Sequence, residues 1–258
     1  MKPRQLGALC VVLVGLASSS PGLARDMDDG WLLSPSRARS CALGSTPGAD
    51  RSWVACGTGR LFGMAELPLQ SLAVHTTRSA LSLDLAWQTL GAEAWREHRY
   101  GAVLGMGRRA GIDVAWSMRR CETVFADPWL RQEVTVILRF GREDVWSVAI
   151  HGDPQSLSPG RAASSHSRWL VVQGSREGLA WAVHVDRRDD ASPAARVAVL
   201  GRLVRGAAFG VLGEGGTGCL GLTSVWVRGG MSLRTSHLVH PALGVSHRWM
   251  LVLGGAAS

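Results

Sequence analysis

Alternation is the feature that most constrains this chain. Leu81, Leu83, Leu85 and Trp87 interleave with Ser82, Asp84, Ala86 and Gln88, and an extended strand puts the two sets on opposite faces. The pattern returns in Tyr100, Ala102, Leu104 and Met106, and again in Ile112, Val114, Trp116 and Met118. It returns further on in Val134, Val136, Leu138 and Phe140, in Trp146, Val148 and Ile150, and in Leu179, Trp181, Val183 and Val185. Runs of roughly 8 to 12 residues, broken by Gly, Asp, Pro or paired arginines, have the rhythm of a many-stranded antiparallel sheet. Gly107–Gly111 reads as a short hairpin connection. The longest predicted loops are Cys121–Trp129 and Gly152–Ser167. In Val197–Val204 and Ala207–Leu212 the alternation slips, and glycines there predict bulges. Beyond the N-terminal leader, no apolar run is long enough for a membrane helix.

One apolar and one mixed face per strand suits either a soluble sandwich or a membrane barrel, and the two differ in what the mixed face meets. A barrel turns its apolar face to lipid and keeps small, polar and some charged residues inside. Very short turns, an export signal and tryptophans near strand ends, where an interfacial girdle lies, favour the barrel. An aromatic content of 6% with one tyrosine weighs the other way. The predicted fold is all-β, an antiparallel transmembrane β-barrel of about 12 to 14 strands with a short N-terminal segment. Asp84, Asp113, Arg119, Glu133, Arg139 and His184 then become lumen-facing candidates. Two readings of them stay open: they set the charge selectivity of a pore, or they pair with one another in a filled interior. The alternative fold is a soluble secreted or periplasmic β-sandwich acting as a binding module, with these charges in water.

The export signal occupies residues 1–24. Lys2 and Arg4 precede the uncharged apolar run Leu6–Leu16, then serines, Pro21 and the small-residue pattern Gly22, Leu23, Ala24. This is the layout of a secretory signal peptide, with cleavage expected between Ala24 and Arg25. The run is too short to span a bilayer, and Leu9 stands before Cys10 where a lipoprotein signal has a small residue. The chain divides into the signal (1–24), an N-terminal segment with a shortened plug and a first strand (25–66), and the barrel (67–258). Export argues against nucleic acid as a partner and makes outer-membrane lipid the expected one. The net charge of +8 fits either an anionic lipid surface or an ordinary solvated one. For Cys41, Cys56, Cys121 and Cys219 the spacing matches no zinc pattern. A Cys41–Cys56 bridge and isolated, packed thiols both remain open.

Catalysis finds no support, so no catalytic residue, metal or cofactor is expected. Gly213–Gly218 looks like a phosphate loop but lacks the lysine and the helix that follow one, and reads as a turn. His237, His240 and His247 invite a metal reading, yet residues three apart on a strand point to opposite faces. Asp26, Asp28 and Asp29 miss the calcium spacing, and Asp186–Asp190 reads as a charged hairpin tip.

Three stretches carry a family resemblance. Arg60–Leu67 (Arg-Leu-Phe-Gly-Met-Ala-Glu-Leu), followed by a strand, a turn and Leu90–Arg99, resembles outer-membrane barrels of the PorV-like branch, relatives of the FadL long-chain fatty-acid transporters. The connection containing His240, Pro241, Leu243, Gly244 and His247 is similar to the one before that family's closing strand, and Arg37–Gly44 resembles the family's start. The resemblance implies a non-enzymatic barrel that passes hydrophobic small molecules, or that serves as a secretion-associated component with secretion-system partners. Ser45–Asp50 is short against the segment that forms the lumenal plug in the transporters.

Overall fold

The computed structural model describes residues 38, 41–43, 52–65, 67–107, 110–140, 145–151, 155–156, 167–176, 178–188, 194–215 and 218–254. The signal, its cleavage position and Asp26–Asp29 lie outside them. The described chain forms one antiparallel sheet of 15 strands. The strands are β1 (Ser52–Arg60), β2 (Pro68–Arg78), β3 (Leu81–Ala92), β4 (Trp95–Met106), β5 (Ala110–Thr123), β6 (Ala126–Phe140), β7 (Val145–His151), β8 (Gln155–Ser156), β9 (Ser167–Arg176), β10 (Leu179–Arg188), β11 (Ala194–Val204), β12 (Ala207–Gly215), β13 (Cys219–Arg228), β14 (Met231–His240) and β15 (Gly244–Gly254). Each long strand pairs with its neighbours in the chain, β7 pairs with β9, and β1 pairs with β15. The sheet is therefore a closed ring, and closure leaves no edge exposed. β8 is a two-residue strand laid against β6.

Among the described residues the first strand of the wall is β1, from Ser52, within the segment 25–66. At the end where the chain enters β1 and leaves β15, the turns at Ser79–Ala80, Arg205–Gly206 and Gly229–Gly230 have two residues each. Such tight reversals need left-handed backbone, supplied by Gly206 (φ 88°), Gly229 (φ 57°) and the non-glycine Ser79 (φ 59°). The opposite end carries the longer connections, among them the β1–β2 link with its 3₁₀ turn at Leu61–Gly63.

One predicted loop is overturned. Cys121–Trp129 is no loop: β5 and β6 run on until Thr123 faces Ala126, leaving Val124 and Phe125 as the turn. Glu122, Asp127 and Pro128 hide this in the sequence, because they interrupt the apolar period by which a strand is read. Of Gly152–Ser167, Gln155 and Ser156 are strand, Ser167 opens β9, and the rest lies outside the described residues. The slipping stretch Val197–Val204 holds a register shift between Arg202 and Val204.

The outer face is ordered in rows. Leu251, Cys56, Leu72, Trp87, Tyr100 and Met118 are successive register partners around the wall, and so are Leu253, Val54, Val74, Leu85, Ala102 and Trp116. Above these apolar rows runs a polar one, Thr235, Trp249, Thr58, Gln70, Thr89, His98 and Arg120. The apolar outer residues are well exposed, with Leu85 at 46%, Val114 at 46% and Val136 at 44%. No water-soluble sandwich leaves a continuous apolar belt uncovered, whereas a bilayer covers it. Not every tryptophan joins the outer face. Trp95 is buried inside, and Trp53 stacks on the inward His75 with ring centroids 5.4 Å apart.

Candidate functional site: the barrel interior

The interior is lined by two unlike walls. On β2–β6 the inward positions include His75, Asp84, Gln88, Glu97, Arg99, Asp113, Ser117, Arg119 and Thr135. On β10–β13 they include Ala180, Ala182, Ala198, Leu200, Ala208, Leu212 and Val225.

The polar wall centres on Glu97, which has no exposed surface. Arg99, two residues along β4, donates its Nε–H to Glu97 Oε1, and Arg119 Nε lies 3.0 Å from the same oxygen. The ladder brings the two arginines together, since Arg99 faces Arg119 in register and Glu97 faces Cys121. A carboxylate between two guanidiniums relieves their repulsion and leaves the triad with net positive charge. Above it sits an apolar cluster of Leu67, Leu69, Leu90, Trp95 and Cys121, joined by Leu61, Phe62, Met64 and Trp129. The β1–β2 link thus folds over the long-loop end of this wall. It is pinned where the Phe62 N–H donates to Ser246 Oγ at 3.0 Å. Lower on the wall, Asp84 and His75 Nδ1 are 2.7 Å apart, with Thr77 Oγ1 2.9 Å from His75 Nε2.

The other wall is apolar and rich in alanine, and chain lies on it. Ala38, Cys41 and Ala42 are fully or nearly fully buried in one cluster with Ala180, Ala182, Ala198, Leu200, Ala208, Leu212 and Val225. The Cys41 thiol reaches Gly178 O at 3.0 Å and Leu200 O at 3.3 Å, and the Gly206 N–H donates to Ala42 O at 2.8 Å. Both anchors are at short turns, so this helical fragment enters at the short-turn end. Burial pushes the Cys41 thiol above its ordinary pKa. At Gly210, also inward, an added Cβ would come within 2.1 Å of Val199 O. Between the walls, β14 and β15 contribute Ser232, Arg234, Ser236, Ser246 and Arg248, while at the long-loop end of the β10–β13 wall Arg196 Nε donates to Glu214 Oε1 at 2.8 Å.

The six candidate residues of the sequence fall as follows. Asp84, Asp113, Arg119 and His184 take inward positions in the alternation. Glu133 faces Ser117 and Arg139 faces Gly111 in register. Arg119 and Glu97 are brought together, while Asp84 meets His75 rather than another of the six. Glu97, Arg99, His75, Arg234 and Arg248 were missed. Extending the parity of Gly101 and Val103 backwards finds Glu97 and Arg99. The connection His240, Pro241, Leu243, Gly244 and His247 forms the β14–β15 turn, with His240 Nδ1 accepting from the backbone of Ala242 and Leu243. Separating the histidines by face holds for His237 and His240 but fails for His237 and His247. These two are register partners, with Nδ1 atoms 2.7 Å apart on the outer face. No disulfide joins Cys41, Cys56, Cys121 and Cys219: three are buried and Cys56 is exposed on the outer face.

No family model matches the chain, and no curated protein matches it. Among solved structures, the outer membrane protein Omp33 of Acinetobacter baumannii aligns with a TM-score of 0.52 at 8% identity, over 81% of this chain and 100% of that one. A mutant Rh. blastica porin aligns with a TM-score of 0.45 at 6% identity, over 79% of this chain and 98% of that one. The fold is that of an outer-membrane β-barrel. At such identity the likeness is one of fold, and function has to be argued from the interior.

Proposed function

We propose that this chain is a channel of the outer membrane with a narrow, polar, net-positive path along the β2–β6 and β14–β15 side of its interior. The observation that carries the reading is the pairing of a closed ring with an uncovered apolar exterior and charged inward positions. Arginines at inward positions, among them Arg99, Arg119, Arg234 and Arg248, favour small anions over cations. Arg139, at the same parity on β6, belongs to that lining in this reading. Residues 1–24 direct export and are removed before Arg25, residues 25–66 supply the interior fragment and β1, and outer-membrane lipid surrounds the rest. The path requires no catalytic group, cofactor or nucleic-acid partner.

A second reading has one observation behind it. The fragment at Ala38–Ala42 covers an apolar surface of Leu200, Leu212 and Val225, and its displacement would offer that surface to a hydrophobic small molecule. This is the transport role implied by the FadL/PorV resemblance; the secretion-component role implied by the same resemblance predicts a co-purifying protein instead.

Fractionation and flux separate the readings. The channel predicts recovery in outer membranes after a carbonate wash, a gel mobility that changes on heating, and leakage of small anions from proteoliposomes. Flux of apolar solutes alone favours the second reading. A protein found in soluble periplasmic extract rejects both.

A further inference from the structure

We propose that His237 and His247 form a two-imidazole site for one borderline divalent transition-metal ion, Cu²⁺ above the others. The two residues face each other on β14 and β15, on the outer side near the long-loop end. Their Nδ1 atoms are 2.7 Å apart, with ring centroids 5.0 Å apart and planes at 70°. Trp249 holds both rings: it stacks on His247 at 6.0 Å and meets His237 edge-on at 6.3 Å.

At that separation one nitrogen carries a proton and the other offers a lone pair to it. A metal ion takes the proton's place by binding both lone pairs. Metal–nitrogen bonds of about 2.0 to 2.1 Å set the two nitrogens about 3 Å apart, so the rings need to part by only a few tenths of an ångström. The donor ring takes its other tautomer as the ion binds, its proton passing from Nδ1 to Nε2, so that both neutral rings present an Nδ1 lone pair. No group of three or more His, Cys, Asp or Glu gathers among the described residues, so the protein supplies two ligands and water fills the rest. Arg60 stands in register beside His247 and is exposed. Its charge disfavours ions held by electrostatics alone, such as Mg²⁺ or Ca²⁺. Imidazole suits Cu²⁺, which also heads the affinity order for nitrogen sites.

The test titrates Cu²⁺ into the detergent-solubilised full chain, free of any polyhistidine tag, and reads the electron paramagnetic resonance spectrum. One Cu²⁺ per chain with hyperfine splitting from two imidazole nitrogens is expected. His237→Ala and His247→Ala should each weaken binding at least tenfold, and the double variant little more than either. His240→Ala, which changes the neighbouring turn, should leave binding unaltered. Heat-dependent gel mobility confirms that each variant is folded, and His247→Gln provides a second, milder substitution that should also lose the two-nitrogen signal. Copper binding that survives both alanine variants overturns the proposal. So does the absence of saturable binding to the folded wild-type chain, which would leave the pair as a hydrogen bond only.

Discussion

The interior walls on β2–β6 and β10–β13 are built from the same alternating ladder and differ in what fills the space before them. The first fills it with its own side chains and balances them as ions, with Glu97 held by Arg99 and Arg119. The second is apolar and rich in alanine, with Leu200, Leu212 and Val225 among the alanines, and Ala38, Cys41 and Ala42 pack against it. A polar group facing inward has to find a partner or water. An apolar segment laid on a wall has to find an apolar surface. The contrast accounts for a lumen with a charged side and a covered side.

The largest effect is expected from Glu97→Leu, which leaves two guanidiniums facing each other without their shared carboxylate. Breaking a buried charge network in this way costs about 3 to 5 kcal/mol, measurable by urea unfolding in detergent or lipid. A loss near zero would mean that water, and not Glu97, balances Arg99 and Arg119. Arginine placed on the outer apolar rows at Leu85 or Val136 should cost about 2 to 4 kcal/mol at mid-membrane depth. The same change at inward Ala86, on the polar wall, should cost less. Equal costs on both faces would point to a two-sided protein core. A third substitution sharpens the contrast between the walls. Ala182→Leu should overpack the covered wall by about 1 to 3 kcal/mol, whereas Ala86→Leu should be close to neutral; similar costs would mean that nothing occupies the space before β10.

Much of this was legible in the alternation. Leu81 to Trp87, Ile112 to Met118 and Leu179 to Val185 each kept one apolar face, so strand, register parity and outer surface followed together. Glu97 was not legible because Trp95–Arg99 is polar on both faces: Arg96 and His98 point outward, Glu97 and Arg99 inward, and no apolar period marks the strand. Which residues of the 25–66 segment lie on the wall was not legible, for a different reason. Ala38, Cys41 and Ala42 are small, and a segment this short has no helical period; only the wall it covers makes it recognisable. The His237–His247 contact depends on hairpin register, which spacing along one strand does not show.

The smallest effect concerns Cys41 and pH. Its thiol is raised above the ordinary value when the fragment is in place. As pH rises past the ordinary thiol range of about 8.5, the displaced segment ionises first and displacement becomes easier. Stability from this group is therefore full below that range and declines above it. Limited proteolysis should cut residues 38–43 faster at pH 9.5 than at pH 7.5, and Cys41→Ala should abolish that difference after correction for the protease's own pH profile. Persistence of the difference in Cys41→Ala would place its origin elsewhere.

The channel reading is tested most directly by single-channel recording of the refolded, heat-modifiable chain in planar bilayers under a salt gradient. Discrete conductance steps with a reversal potential on the anion side are the expected result, with the anion preference reduced when Arg234 or Arg248 is replaced by glutamate. A correctly folded barrel that inserts and yet carries no current, or one that prefers cations, would contradict a net-positive polar path.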